Sequence, residues 1–228
     1  MIIIDFFGFS GSGKSFLAKK ISSLNSEIDN QFLNIAKELR IKRLLQKLYY
    51  ISLVKFSDIK LILELQNSFI FNNKIINIKN LLSFLYIIGY IKSKSDKTKI
   101  LLLDHGFIQC ILSCFLFSKS KNYNLENITE IVSKLYLSLD VYFDYYNIVV
   151  MNHNWKLISE RLLKRDCIKS KKLIKENKLN FFNESLNNCK FIYSHIHNEK
   201  FKTFDAGSFS ADNYYEFTKA LKLYEKPS

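Results

Sequence analysis

The sequence predicts an α/β protein in three layers, a parallel sheet covered on both faces by helices. Three observations carry this. Short runs rich in β-branched and aromatic residues at 2–7, 99–104, 147–151 and 200–204 alternate with longer stretches whose apolar residues recur at helical spacing, the pattern of β-α-β units. A single proline, Pro227, and six glycines leave few turn formers, which argues against a tight-turned all-β fold. The 48% apolar and 15% aromatic content excludes a disordered chain, and 228 residues fit one domain, 1–228, better than two.

In chain order, Ile2 to Phe7 is apolar apart from Asp5 and reads as a strand buried on both faces. A carboxylate there is costly to bury without a partner, and Asp5 is a candidate member of a site at the strand's end. A glycine loop follows, and Phe16-Leu17-Ala18-Lys19-Lys20-Ile21 opens a helix. A weakly signalled strand falls at Phe32–Ile35. From Gln31 to about Asn73 the spacing is mostly helical, with Asp58 as N-cap of a helix over 59–71. The helix over 78–92 is apolar nearly all round and is expected to be buried. Lys99-Ile100-Leu101-Leu102-Leu103-Asp104 reads as a central strand ending in an acid, and helical spacing resumes at Gly106. A helix over 125–139, a strand over 147–151 and a helix over 154–165 come next. A basic stretch, a helix over 181–195, a strand over 200–204 and a closing helix over 211–223 complete the chain. No internal repeat or linker interrupts it.

The net charge of +13 points to a polyanionic partner, an acidic membrane surface or a phosphorylated substrate. Its distribution is uneven: Lys156 to Asn180 holds nine basic residues and three acidic ones. The apolar run from Leu81 to Ile91 is too short to cross a bilayer, and no basic stretch precedes the first apolar run, so a cytoplasmic protein is expected. Cys110, Cys114, Cys167 and Cys189 form no CxxC pair and are expected to be inert core thiols rather than zinc ligands.

Three of the six glycines fall at Gly8, Gly11 and Gly13. The octapeptide Gly8-Phe9-Ser10-Gly11-Ser12-Gly13-Lys14-Ser15 fits G-x-x-x-x-G-K-[ST] at every fixed position, between a predicted strand and a predicted helix. Bare backbone at the glycines lets successive N–H groups converge on phosphate oxygens, and the helix N-terminus adds its positive field. Lys14 is then expected to reach the β and γ phosphates and the Ser15 hydroxyl to ligate Mg²⁺. Ser10, Ser12 and Phe16 belong to the same cofactor-binding segment. Asp104, at the end of the neighbouring strand, can hold Mg²⁺ through water or accept a proton from a substrate hydroxyl.

Only four of the 34 basic residues are arginine. Arg161 and Arg165, four apart on one helix face, suit bidentate contact with a migrating phosphoryl group. Arg40 and Arg43, three apart, could clamp an anionic acceptor or simply be solvated, and His105 could contact substrate.

These pieces, in this order, resemble the P-loop nucleoside and nucleotide kinases, the group of thymidylate kinase and adenylate kinase. The resemblance rests on Gly8 to Ser15, the strand ending at Asp104, the strand-helix Ile148 to Arg165, and Phe201 to Asp205 followed by Ala206-Gly207-Ser208. It implies a P-loop NTPase fold whose five parallel strands have the P-loop strand in the middle. It further implies a lid over the ATP phosphates at about 161–180, adenine contacts at Asp205, Ala206 and Gly207, and a helical acceptor region inserted at about 36–98. The family usually has an arginine directly after the acid that ends this neighbouring strand, where this chain has His105.

The expected activity is transfer of the ATP γ-phosphoryl group to a small acceptor, a nucleotide or nucleoside, with ATP and Mg²⁺ as cofactors. A regulatory ATP-binding protein with little turnover and a kinase of a non-nucleotide small molecule stay open, as does a homodimer. A nucleic-acid partner is disfavoured because the charge is concentrated in the lid and the aromatics fall at core spacing. The Asn-Lys pairs at 73–74 and 177–178 lack the following aspartate of a guanine reader, and no Leu-Ser-Gly-Gly signature of a transport ATPase occurs.

Overall fold

Side-chain parity along the first strand explains how the sheet is clothed. In β1 (Ile2–Phe7), Ile3, Asp5 and Phe7 point to one face and Ile4 and Phe6 to the other, and all five are fully buried. Both faces of this strand are therefore covered. The computed structural model describes residues 1–9, 11–23, 28–30, 40–71, 74–119, 122–151, 158, 160, 164, 179–196 and 198–206.

Four further strands pair with β1 in parallel: β2 (Ile28–Asn30), β3 (Ile100–Leu103), β4 (Tyr145–Val150) and β5 (Phe201–Asp205), in the order β2-β3-β1-β4-β5. Ile2 registers with Ile100 on one side and with Tyr145 on the other. The five-stranded parallel sheet with β1 at its centre is the expected one. The strand expected at 32–35 lies outside the described residues; among the described residues the second strand stands at 28–30, a segment the sequence did not mark. Ile28-Asp29-Asn30 lacks an apolar run because β2 is an edge strand fastened by polar contacts. Asp29 pairs with Lys94 at 2.6 Å, and buried Asn30 donates to the Ala18 carbonyl at 3.2 Å.

Seven helices stand among the described residues: α1 (Lys14–Ser22), α2 (Arg40–Ser52), α3 (Phe56–Asn67), α4 (Lys74–Lys94), α5 (Phe107–Phe117), α6 (Leu125–Leu139) and α7 (Leu179–Ser194). Helix α1 covers one face of the sheet, where Ala18 and Ile21 pack with Ile4, Phe6, Leu102 and Val149. The other face carries the larger core, built from Ile3, Phe7, Leu101 and Leu103 with Phe107, Ile111, Leu135, Tyr136 and Cys189.

Two expectations need correction. Asp58 does not cap a helix: α3 begins earlier, with Lys55 at its N-cap, and Asp58 is buried in the first turn beside the equally buried Lys92 of α4, at 2.6 Å. Helix α4 is not buried throughout. It runs 21 residues and is long and apolar enough by length and composition to cross a membrane, more than its 81–91 run suggested. From Phe84 onward it enters the core, whereas Ile75, Ile78 and Leu82 in its first half are exposed. At Gly89 a methyl group would lie 1.7 Å from the Tyr50 carbonyl oxygen, so α2 rests directly on the α4 backbone.

Cys110, Cys114 and Cys189 are buried and unpaired in disulfides, and burial pushes each thiol up, the behaviour of inert core cysteines. Cys167, the helix expected over 211–223, the lid at 161–180 apart from Lys164, Leu179 and Asn180, and most of the helix over 154–165 lie outside the described residues.

Candidate active site

Because all five strands run parallel, their C-terminal ends share one edge of the sheet, the edge at which such folds bind ligands. Gly8 to Ser15 leaves β1 there. Gly11 and Gly13 have φ of 90° and 101°, values that side-chain-bearing residues rarely adopt, and Gly13 is the N-cap of α1 with no side chain to cap it. The first N–H groups of α1 thus face the loop's concavity with no side-chain acceptor supplied at the cap.

Lys14 folds back across the loop and donates from Nζ to the carbonyls of Gly8 at 2.6 Å and Phe9 at 3.0 Å. Its ammonium is held over the loop's mouth. Ser15, one residue on, donates from Oγ to Asp104 Oδ2 at 3.0 Å, joining the first turn of α1 to the end of β3. The other Asp104 oxygen, Oδ1, is buried and has no hydrogen-bond partner among the described residues; the same is true of Ser12 Oγ within the loop. Phe9, Lys14, Ser15 and Asp104, with Phe16 and His105, line a cavity of about 360 Å³.

His105 stands at the mouth of this cavity. His105 keeps an exposed surface, yet its pKa lies below the ordinary imidazole value, because the cavity walls crowd and partly desolvate the ring and the Lys14 ammonium repels an imidazolium, with Asp104 pulling the other way.

Two residues that position the site were hidden or underrated in the sequence. Gln109 of α5 accepts a hydrogen bond at Oε1 from the Gly8 N–H at 3.2 Å and also lines the cavity. Its signal was a lone amide inside the otherwise apolar stretch Phe107 to Leu112. Asp5 lies beneath the loop and accepts from Tyr146 Oη at 2.7 Å and from the Ile108 N–H at 3.3 Å. Burial raises its carboxyl to about 6, against the pull of those donors and of Lys14. Gly106 is fitted onto it, since a methyl group there would fall 2.1 Å from Asp5 Oδ1. Asp5 therefore seats the N-terminus of α5 and, with it, the Asp104-His105-Gly106 turn.

The structure brings together Gly8, Gly11, Ser12, Gly13, Lys14, Ser15, Phe16, Asp104 and His105. Asp205 and Ala206 share the same edge two strands away, since Val150 registers with both Phe7 and Asp205; they do not line the cavity. Arg40 and Arg43 are on α2, and their side chains are not among those described. Ser10, Arg161, Arg165 and Gly207 lie outside the described residues.

Among solved structures, the chain is similar to the deoxyadenosine kinase from M. mycoides with the products dCMP and a flexible dCDP bound. That likeness has a TM-score of 0.47 at 14% identity and covers 98% of this chain and 100% of that one. The same enzyme with bound dCTP gives 0.45 at 15% identity, with the same coverage. No protein-family model and no curated protein matches this chain. At these values the functional reading stands on the residues of the site itself.

Proposed function

We propose that this protein is a phosphotransferase that moves the γ-phosphoryl group of Mg·ATP to a small acceptor, a nucleoside or nucleotide. The observation that carries the reading is the 3.0 Å contact between Ser15 Oγ and Asp104 Oδ2 at the mouth of a glycine loop spanned by Lys14. A glycine turn that merely joined strand to helix would need none of the three.

The donor set fits Mg²⁺, which is commonly held by one or two oxygen side chains plus substrate phosphates rather than by an all-protein cage. Ser15 Oγ and the unpartnered Asp104 Oδ1 would hold it, and its charge, when bound, offsets that of the β and γ phosphates. The N–H groups of the loop and of the first turn of α1 bind the phosphates. The Lys14 ammonium exchanges the Gly8 and Phe9 carbonyls for phosphate oxygens, a short movement that leaves it in the same mouth. Desolvation and the Lys14 ammonium favour the neutral form of His105, whose ring nitrogen can accept a hydrogen bond from the acceptor. Arg161 and Arg165 are assigned to the migrating phosphoryl group, Arg40 and Arg43 to an anionic acceptor, and Asp205, Ala206 and Gly207 to the adenine side. Positioning and charge neutralisation account for the catalysis.

A second reading, an ATP-binding regulatory protein with little turnover, is favoured by His105 standing where the related kinases carry an acceptor-binding arginine. ADP release from Mg·ATP, measured against nucleosides, nucleoside monophosphates, sugars and nucleic acid, separates the two. Stimulation by one small acceptor establishes the kinase and its substrate class. Bound ATP with no stimulation by any of them overturns it in favour of the regulatory protein.

A further inference from the structure

Helix α2 is amphipathic and is mounted with its apolar face outward. Ile41, Leu44, Leu45 and Leu48 recur at i, i+3, i+4 and i+7, and with Tyr49 each is more than half exposed. The helix docks on α4 by the opposite side. Tyr50 packs edge-on against Tyr86 and Tyr90, at 5.7 and 5.1 Å between ring centroids, and its carbonyl occupies the space left by Gly89. Beside it, Ile75, Ile78 and Leu82 of α4 form a second exposed stripe. Leu44 and Leu48 face Leu82 and Tyr86 across a groove of about 460 Å³.

The charge on this surface has one sign. Neither α2 nor α4 contains an acidic residue, and Lys42, Lys47, Lys74 and Lys79 are all exposed. On the helical wheel Lys42 and Lys47 flank the apolar stripe on its two sides. A second copy of the chain would bring further cations and no acid from these two helices to the shared interface, whereas an anionic surface answers the lysines directly.

We infer that the α2–α4 face binds an anionic phospholipid surface peripherally. The apolar stripe enters the boundary between headgroups and acyl chains, and the flanking lysines meet the acidic headgroups. This goes beyond the phosphotransfer reading and does not depend on it.

Flotation of the full chain with phosphatidylcholine vesicles and with mixed phosphatidylcholine–phosphatidylserine vesicles tests this. Binding to the mixed vesicles alone is expected. The double variant Leu44→Ser, Leu48→Ser should abolish it, and Lys42→Gln and Lys79→Gln should each weaken it about fivefold. All four side chains are exposed, so the variants should keep the wild-type circular dichroism and thermal midpoint. If the leucine variant does not, Ile78→Ser on α4 provides the same test. Absence of binding, equal binding to both vesicle types, or unchanged binding by the folded variants overturns the inference. So does a wild-type dimer that the same substitutions split into monomers, which would make the face a self-interface.

Discussion

Replacing Asp5 by asparagine should change how stability depends on pH, by an amount the structure sets. The carboxyl is raised from 3.8 to about 6, because desolvation outweighs the donors Tyr146, Ile108 and Phe107 and the charge of Lys14. The folded state therefore binds this proton more tightly than the unfolded state does. Asp5 contributes its full stability below about pH 3.8 and loses it as the pH rises through about 6, with no further change above that. A shift of this size corresponds to about 3 kcal/mol. Asparagine keeps an oxygen for the Tyr146 hydroxyl and the Ile108 N–H and carries no charge at any pH. Urea unfolding of both proteins from about pH 4 to pH 7 should show Asp5→Asn gaining about 2.5 kcal/mol relative to wild type, nearly all of it below about pH 6.5. Parallel pH profiles would refute the claim that a desolvated carboxylate sits beneath the loop.

Further expectations concern the packing around the site and its transition state. Lys92→Met leaves Asp58 buried without its cation and should cost about 3–5 kcal/mol in chemical denaturation, whereas pairing it with Asp58→Leu should recover much of the loss. Gly106→Ala drives a methyl group into the Asp5 carboxylate, so a loss of about 1–3 kcal/mol is expected together with a fall in kcat, because the turn that carries Asp104 and His105 must shift. Arg161→Ala and Arg165→Ala should lower kcat more than nucleotide affinity; a pure affinity loss would make both ground-state binders.

Sequence reasoning reached the centre of the fold and missed its periphery for physical reasons. Strand β1 was read to the residue because a strand buried on both faces must be apolar throughout, and the loop after it because few sequences place three glycines, a lysine and a serine in that register. Strand β2 was missed because an edge strand is held by Asp29 and Asn30, whose residue types are depleted in strands. Asp58 was misread as a cap because its true partner, Lys92, is 34 residues away and only tertiary packing brings it close. The expected burial of the helix over 78–92 fails in its first half because composition cannot say which turns the neighbouring helices reach. In the site, Ser15 and Asp104 were each legible as expected Mg²⁺ ligands, but their direct contact spans 89 residues of sequence. The support that Gln109 and Asp5 give the loop and the α5 turn spans 101 and 103 residues of sequence, beyond the reach of any local motif.

The central claim is that Gly8 to Ser15, with Asp104, forms a site for a magnesium-bound triphosphate. Calorimetric titration of the wild-type chain and of Lys14→Ala with ATP, with and without Mg²⁺, tests it most directly. The wild type should bind ATP more tightly with Mg²⁺ than without, and Lys14→Ala should lose that binding while unfolding like wild type. Equal ATP affinity in a folded Lys14→Ala variant would contradict the assignment.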